Sequence, residues 1–285
     1  MQGYEKETDM SAQIDTTALK ALLDEGSVKI IDGSWALDGT DMQALYVQDH
    51  VPTAHFFDIE AIGDKSTELP HMAPSSDQFA KAVGDMGISE TDHVVIYDRQ
   101  GLFSAARVWW TFRLMGHEKV QILRGGLPAW LAAGYPVQAG TEWVKGVEYT
   151  PRLQPNLSID INDLKSYFDL SDKLILDARS AARFTGATPE PRAGLRSGHM
   201  PGSRNLPASD LIENGILKPV SDLKNIFAAL HVSPSTEVVT TCGSGVTAAI
   251  IALALFETGH EATRLFDGSW AQWGREDQDT VVVRS

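Results

Sequence analysis

The chain of 285 residues contains a single cysteine, Cys242, within the segment TTCGSGVTAA at positions 240–249. A β-branched run precedes this cysteine and an alanine- and isoleucine-rich stretch follows it, which predicts a strand, a short loop and a helix. In such a loop Gly243 and Gly245 let backbone N–H groups turn inward, and the helix N-terminus adds positive potential. Both effects stabilise a thiolate or an anionic persulfide. We therefore expect an exposed, nucleophilic thiol here, although a free cysteine is most often a small buried hydrophobic residue.

The loop lacks the features of two other nucleophile loops. A tyrosine-phosphatase loop carries an arginine six residues after its cysteine, and Ala248 stands at that position. The Gly-x-Ser-x-Gly pattern of a serine-hydrolase elbow is not met around Ser244. One cysteine can form neither an internal disulfide nor a cysteine-based zinc site, so we expect no metal at this site. The same cysteine usage predicts a reducing compartment, the cytoplasm.

Composition excludes further classes of function. The formal net charge is −14, so there is no basic surplus to neutralise the phosphates of a nucleic acid. The longest apolar run, at positions 248–256, is far too short to span a membrane, and we expect no membrane partner. The polar start, MQGYEKETDM, is typical of neither a signal peptide nor a transit peptide. An anionic small-molecule substrate would need a local group of arginines to attract it.

Such a group of arginines lies between positions 179 and 204, where five arginines accompany one acid, Glu190. Arg183 and Arg192 belong to the segment ARFTGATPEPRAG, whose proline and glycine residues suit a loop that folds back over the cysteine. A guanidinium matches a carboxylate with two parallel hydrogen bonds, which a lysine cannot do. For the other three arginines a solvated basic loop stays open as the alternative: Arg179, Arg196 and Arg204.

The chain contains an internal repeat with a spacing of about 145 residues. Four segment pairs occur in the same order, so we predict two copies of one domain, at residues 14–138 and 158–280, joined by a linker at 139–157. Asp98 stands in the first copy where Cys242 stands in the second, so the first copy is expected to act as scaffold and as one wall of the cleft. The matching segments are 28–35 with 173–180, 50–58 with 199–207, 93–101 with 237–245, and 115–130 with 258–273.

Each copy alternates short β-branched runs with amphipathic or apolar helical patterns. Strand–helix alternation with short connections predicts an α/β fold in which each copy forms a parallel sheet with helices on both faces. The cysteine loop then lies at the carboxyl edge of the second sheet, where open α/β folds bind ligands. The predicted strands are VKIID, HVVIYD, VQIL, KLILDA, EVVTTC and ATRLF, and the predicted helices are TALKALLDEG, SSDQFAKAVGDMG, DINDLKSYFD, PVSDLKNIFAALHV and TAAIIALALFETG.

The duplication and the loop CGSGVTA resemble the two-domain rhodanese family, and within it the 3-mercaptopyruvate sulfurtransferases, from about residue 14 to residue 278. Thiosulfate-preferring members carry the basic loop CRKGVTA, whereas Gly243 and Ser244 are neutral. The resemblance implies two tandem rhodanese-like domains with the active site in the second. It also implies that Cys242 takes sulfur from 3-mercaptopyruvate, releases pyruvate and passes the sulfur from a persulfide to a thiol such as thioredoxin, or to cyanide, without a cofactor.

The resemblance also assigns roles to individual residues. Arg183 and Arg192 align with arginines that bind the substrate carboxylate and keto oxygen, and the loop contributes to substrate binding through Gly243, Gly245, Val246 and Thr247. His71 and Glu60 align with a His–acid pair that acts with the loop serine, Ser244, as a proton relay; the family's acid is usually aspartate. Three alternatives stay open: His71 as an interdomain hydrogen bond without a catalytic part, a thiosulfate sulfurtransferase, and a non-enzymatic persulfide carrier.

Overall fold

The computed structural model describes residues 11–141, 143–167 and 172–284. The polar start at 1–10 and the end of the helix predicted at 160–169 lie outside these ranges. The described chain forms two five-stranded parallel sheets and one short antiparallel hairpin. Within the described ranges, no helix has both the length and the apolar character required to cross a bilayer.

The first sheet has the strand order β1-β5-β4-β2-β3, and every adjacent pair is parallel. Its three predicted strands are confirmed as β2, β4 and β5, and helix α1 ends at Gly26 as the sequence predicts. The elements are β1 Gln13–Ile14, α1 Thr16–Glu25, β2 Lys29–Asp32, α2 Met42–Gln48, β3 His55–Phe56, α3 Ile59–Ile62, α4 Ser76–Asp85, β4 Val94–Tyr97, α5 Ala105–Leu114, β5 Val120–Leu123 and α6 Gly126–Ala132.

The second sheet repeats this topology with the order β6-β12-β11-β7-β8, again parallel throughout. The same order of equivalent strands in both sheets confirms that the repeat in the sequence is a repeat of fold. The elements are a 3₁₀ turn at Pro155–Leu157, β6 Ser158–Ile159, α7 Ile161–Lys165, β7 Lys173–Asp177, α8 Ala181–Thr185, β8 Arg204–Asn205, a 3₁₀ turn at Ala208–Leu211, β9 Ile212–Glu213, β10 Ile216–Leu217, α9 Val220–Ala229, β11 Glu237–Thr241, α10 Ala248–Glu257, β12 Thr263–Phe266 and α11 Ser269–Trp273.

Both faces of each sheet are covered, which explains why the strands read as continuous apolar runs. Along β4, Val94 and Ile96 enter one core cluster while Val95 and Tyr97 enter another on the opposite face. The cluster that contains Val94 continues into the second domain, because α5 packs against α10. The rings of Trp109 and Phe256 meet edge to face in this contact, with centroids 5.5 Å apart. The two domains therefore share one core across their interface.

The segment that we predict as the linker runs along the first domain. Tyr149 is buried, and its ring meets Phe79 edge to face at 5.4 Å. The N–H of Arg152 donates to the carbonyl of Met115 at 2.8 Å, just after α5. These contacts attach the connection to the end of the helix that forms the domain interface.

Candidate active site

Cys242 directly follows β11, and six residues later Ala248 begins α10. The strand lies inside its sheet between β7 and β12, so the loop opens at the carboxyl edge near the middle of the sheet. Helix α11 holds the loop in place, because the N–H of Trp270 donates to the carbonyl of Cys242 at 2.9 Å. Gly245 has φ of +81°, a conformation that favours glycine and turns its N–H toward the sulfur. That N–H lies 3.1 Å from Cys242 Sγ.

The thiol of Cys242 is less accessible than the sequence suggests. The residue is only 2% exposed, whereas we expect from the sequence an exposed nucleophile. The expectation of exposure is wrong because the Cys242 side chain packs into the core cluster that the two domains share.

In the first domain, the loop equivalent to the cysteine loop forms a cradle, a set of backbone N–H groups that point at one side chain. Asp98 is buried, and its carboxylate accepts hydrogen bonds from the N–H groups of Gln100 at 2.9 Å, Phe103 at 2.7 Å and Ala105 at 2.9 Å. Burial nevertheless raises the pKa of Asp98, since it withdraws the carboxylate from water. Two copies of one loop therefore direct N–H groups at an acidic side chain, a carboxyl in one domain and a thiol in the other.

His71 lies across the domain interface from the cysteine loop. Its Nδ1 is 2.9 Å from Ser244 Oγ and its Nε2 is 2.6 Å from Glu60 Oε1. Because the carboxylate accepts from Nε2–H, Nδ1 is the acceptor for the serine hydroxyl. Glu60 reaches this position from α3 despite being one methylene longer than the aspartate usual in the family. The three side chains predicted as a relay are thus brought together, while their catalytic role stays a prediction.

The indole of Trp35 completes this hydrogen-bonded chain, and sequence reasoning missed it. Trp35 Nε1 donates to Glu60 Oε1 at 3.1 Å, and its ring packs edge-on against the His71 imidazole with centroids 4.6 Å apart. Burial lowers the pKa of His71, and the nearby Arg107 and Arg192 lower it too, while Glu60 opposes the shift. The imidazole is therefore neutral at pH 7, which fits its role as acceptor toward Ser244.

Arg183, on the last turn of α8, lies directly over Gly243. A Cβ atom on Gly243 would be only 2.9 Å from Arg183 Nη2, so a larger residue here would displace the end of that arginine side chain. Arg183 is also paired with Glu190, whose Oε2 lies 2.5 Å from Nη2. Glu190 is 1% exposed and pairs at 2.8 Å with a second cation, Arg179. Sequence analysis noted Glu190 only as the lone acid of its segment.

Arg179 is a structural residue and not part of a solvated loop. Its side chain is fully buried, contacts Asp177 through Nη2 at 2.6 Å and lies 4.1 Å over the ring of Trp270. Arg196 likewise donates to backbone carbonyls, that of Trp273 among them at 2.9 Å. Arg204 is exposed and donates to the carbonyl of Leu230. The solvated alternative therefore fails for the first two.

Arg192 is the free cation of the site. Within residues 11–141, 143–167 and 172–284 it makes no ion pair or hydrogen bond, yet it lies within electrostatic range of Cys242 and Arg183. Burial lowers its pKa, and the neighbouring Arg183 lowers it further. A cleft of about 360 Å³ opens beside it, between residues 68–70 of the first domain and 275–277 of the second. Its guanidinium is available to an anion that enters there.

The remaining loop residues contribute differently. Val246 is buried in the shared core, so its side chain is not available to a substrate. Thr247 is half-buried and precedes α10 without capping it through its side chain. Substrate binding by Val246 and Thr247 stays a prediction, and for Val246 it can involve only the backbone. Within the described chain, no three His, Cys, Asp or Glu side chains are grouped so that they could hold a metal ion.

The sequence matches the Rhodanese-like domain twice, over residues 15–133 and 160–276. The chain belongs to the rhodanese family. The fold predicted from the sequence, two tandem rhodanese-like domains, is confirmed by these matches and by the two equivalent sheets.

Curated members of the rhodanese family are similar to the chain over most of its length. The 3-mercaptopyruvate sulfurtransferase of Mus musculus is 39% identical over 279 residues, which cover 96% of this chain and 94% of that protein. The 3-mercaptopyruvate sulfurtransferase of Escherichia coli K12 is 38% identical over 255 residues, covering 88% and 91%. The thiosulfate/3-mercaptopyruvate sulfurtransferase 1, mitochondrial, of Arabidopsis thaliana is 38% identical over 282 residues, covering 90% and 74%.

A solved structure supports the same assignment to the rhodanese family. The crystal structure of SseA from Escherichia coli, reported among 3-mercaptopyruvate sulfotransferases, has a TM-score of 0.84 to this chain at 35% sequence identity. The match covers 92% of this chain and 99% of that one. The two molecules therefore share both domains and their arrangement.

Proposed function

We propose that the protein is a 3-mercaptopyruvate sulfurtransferase. The observation that carries this proposal is the neutral Gly243–Ser244 pair beside the Cys242 thiol, together with Arg192, which lies within electrostatic range of that thiol and makes no ion pair among the residues that the structure describes. The carboxylate of a singly charged donor can pair with Arg192 while the donor's sulfur contacts the Cys242 thiol. The relatives named 3-mercaptopyruvate sulfurtransferase support the same substrate.

The first half-reaction transfers one sulfur atom to the protein. The Cys242 thiolate attacks the thiol sulfur of the donor, so that an S–S bond forms and the carbon–sulfur bond breaks. The electron pair of the broken bond leaves as the enolate of pyruvate. The proton originally on the donor sulfur ends on the enolate carbon, and the products are pyruvate and a Cys242 persulfide anion.

The relay moves this proton between the two atoms. Ser244 accepts the proton of the donor thiol and passes its own hydroxyl proton to His71 Nδ1. The reverse transfers, from His71 through Ser244, then protonate the enolate carbon. Glu60 holds Nε2–H throughout, which fixes the imidazole tautomer. A neutral imidazole is required at the start, and the lowered pKa of His71 supplies it at pH 7.

In the second half-reaction a thiol attacks the outer persulfide sulfur and restores the Cys242 thiolate. Thioredoxin is the acceptor that we propose, and cyanide can replace it in an assay. The outer sulfur stays in the N–H cradle of the loop, where the equivalent loop of the first domain holds a carboxyl. We propose the cytoplasm as compartment because a single cysteine suits reducing conditions, although the Arabidopsis relative is named as mitochondrial.

Thiosulfate is the second candidate donor, since two relatives from Arabidopsis thaliana are named for both thiosulfate and 3-mercaptopyruvate. Thiosulfate is a dianion whose charge lies close to the transferred sulfur. The neutral Gly243–Ser244 pair offers no cation there, and Glu190 removes part of the charge of Arg183. Both features favour the monoanionic donor.

The test compares purified protein with mercaptopyruvate and with thiosulfate, using cyanide as acceptor. We expect a higher kcat/KM with mercaptopyruvate and one added sulfur atom on the protein by mass spectrometry before cyanide is added. Cys242→Ser, which is nearly isosteric, should fold normally and neither gain sulfur nor turn over. Turnover by this variant, or a preference for thiosulfate, would contradict the proposal.

A further inference from the structure

A buried ion pair crosses the domain interface directly behind the relay. Arg107 on α5 of the first domain is 2% exposed, and its Nη2 lies 2.6 Å from Oδ1 of Asp267, which follows β12 of the second domain. The guanidinium also stacks on the Trp110 ring at 4.6 Å. Neither residue carries a role in the proposed chemistry.

This ion pair contacts the backbone at His71 and two residues after it. Arg107 Nη2 donates to the carbonyl of His71 at 2.5 Å, and Asp267 Oδ2 accepts from the N–H of Ala73 at 2.7 Å. His71 itself has φ of +60°, a left-handed conformation that is strained for a residue with a side chain. Such strain persists only where the surrounding structure fixes the backbone. Two hydrogen bonds from one ion pair supply that restraint.

The same ion pair also contacts the cysteine loop. Arg107 Nη1 lies 3.5 Å from the carbonyl of Gly245. A Cβ atom on Gly245 would be 3.0 Å from that Nη1 and 3.1 Å from Asp267 Oδ1, so the loop rests directly on the pair. Gly245 follows Ser244, whose hydroxyl meets His71. The pair therefore contacts both segments whose side chains form the 2.9 Å Nδ1–Oγ contact.

We infer that Arg107 and Asp267 are positioning residues that set the distance between His71 and Ser244 across the domain interface. Neither domain alone can fix this contact, because its two partners belong to different domains. A guanidinium is suited to the task since it presents several N–H groups in a rigid plane, so that one side chain reaches a carboxylate and two carbonyls. A lysine could keep the ion pair but not the planar set of contacts.

The inference rests on the proposed function, because the relay matters only for a donor whose leaving group must be protonated. Arg107→Met should lower kcat with mercaptopyruvate by about tenfold or more, with KM changed by less than about threefold, since proton transfer contributes roughly 10²–10⁴-fold. Transfer from thiosulfate, whose leaving sulfite needs no such proton, should change by less than about threefold. Arg107→Lys should recover part of the lost kcat.

Arg113→Met is the matched control. Arg113 lies on the same helix, six residues after Arg107, and also stacks across the interface, 4.1 Å over the Phe256 ring. This variant should leave the rates with both donors close to those of the wild type. Equal losses with both donors in Arg107→Met, or losses no larger than in Arg113→Met, would show a merely structural role. If Arg107→Met does not fold, the rates of Arg107→Lys with mercaptopyruvate and with thiosulfate are compared in its place, and the same outcomes test the inference.

A second readout does not depend on any donor. In ¹⁵N-histidine-labelled protein, the Nε2–H of His71 should give a slowly exchanging imidazole signal, assigned by its absence in His71→Gln. The signal should persist in Arg113→Met and be lost or shifted in Arg107→Met. Its persistence in Arg107→Met would overturn the inference, whereas failure of wild-type protein to use mercaptopyruvate would contradict only the proposed function.

Discussion

Glu190 is expected to set the charge of the substrate site, and Glu190→Gln tests this directly. Five charged side chains form the network around Glu190: three arginines and two carboxylates, for a net charge of +1. Glutamine keeps the size and one acceptor oxygen but raises the network to +2, which favours a dianion. The members are Arg179, Arg183, Arg192, Asp177 and Glu190.

The size of the effect follows from the geometry. Glu190 lies 2.5 Å behind Arg183 Nη2, and that nitrogen lies 2.9 Å from a Cβ position on Gly243, beside the reacting sulfur. One unit charge about 6–8 Å from the donor, at an effective dielectric of about 20–40, corresponds to roughly 1–3 kcal/mol per unit of donor charge. Thiosulfate carries one charge more than mercaptopyruvate. The ratio of kcat/KM values should therefore move toward thiosulfate by about 5- to 100-fold.

Stability must be measured beside activity, because Glu190 is buried between two cations. Removing one partner of a buried pair costs about 3–5 kcal/mol, and less is expected here since Arg179 keeps Asp177. The assay is kcat/KM for both donors together with urea denaturation of each variant. Glu190→Asp retains the charge and should retain the donor preference. An unchanged ratio in folded Glu190→Gln, or an equal change in Glu190→Asp, would refute the charge argument.

Three further substitutions test the relay and the carboxylate site. His71→Ala should lower kcat for mercaptopyruvate by about 10²–10⁴-fold and affect thiosulfate far less. Because burial lowers the pKa of His71, wild-type activity should fall only below the ordinary histidine value of 6.5, and His71→Ala should lose that acid limb from its pH profile. Arg192→Ala should cost roughly 1.5–3 kcal/mol in kcat/KM, and Arg183→Ala less, since Arg183 already shares its charge with Glu190. Equal losses in the two arginine variants would contradict this.

Local sequence patterns were sufficient for the fold. The β-branched runs that became β4 and β11 are bounded by charged or glycine-rich turns, and each strand is buried on both faces. The repeat then predicted the same strand order in both domains, since equivalent segments must form equivalent strands. Helix ends were less predictable: the helix predicted through His231 and Val232 ends at Ala229. Val232 packs against the core although it lies in the loop after the helix, so its apolar side chain did not mark the helix end.

The contacts that support the site were not predictable in the same way. Arg107 and Asp267 meet across the domain interface, and Trp35 contacts the relay from a distant loop of the first domain; no periodicity along the chain reports which side chains meet there. Asp267 lies in the repeated segment DGSW, and Arg107 lies on a largely apolar helix, so each offered a weak signal. A cation within a buried helix must find a partner, because an unpaired buried charge is costly. Only the structure shows that the partner of Arg107 is Asp267.

The distribution of site residues between the domains explains why both copies are present. The first domain holds no thiol, and Asp98 fills its N–H cradle from within, so that loop is closed to any ligand. It nevertheless supplies His71 and Glu60, while the second domain supplies Cys242, Ser244 and the arginines. A relay contact of 2.9 Å between side chains 173 residues apart needs a rigid interface, and the shared core with its buried Arg107–Asp267 pair provides one. In the mechanism that we propose, the domain without the nucleophile is therefore the half of the active site that handles the proton.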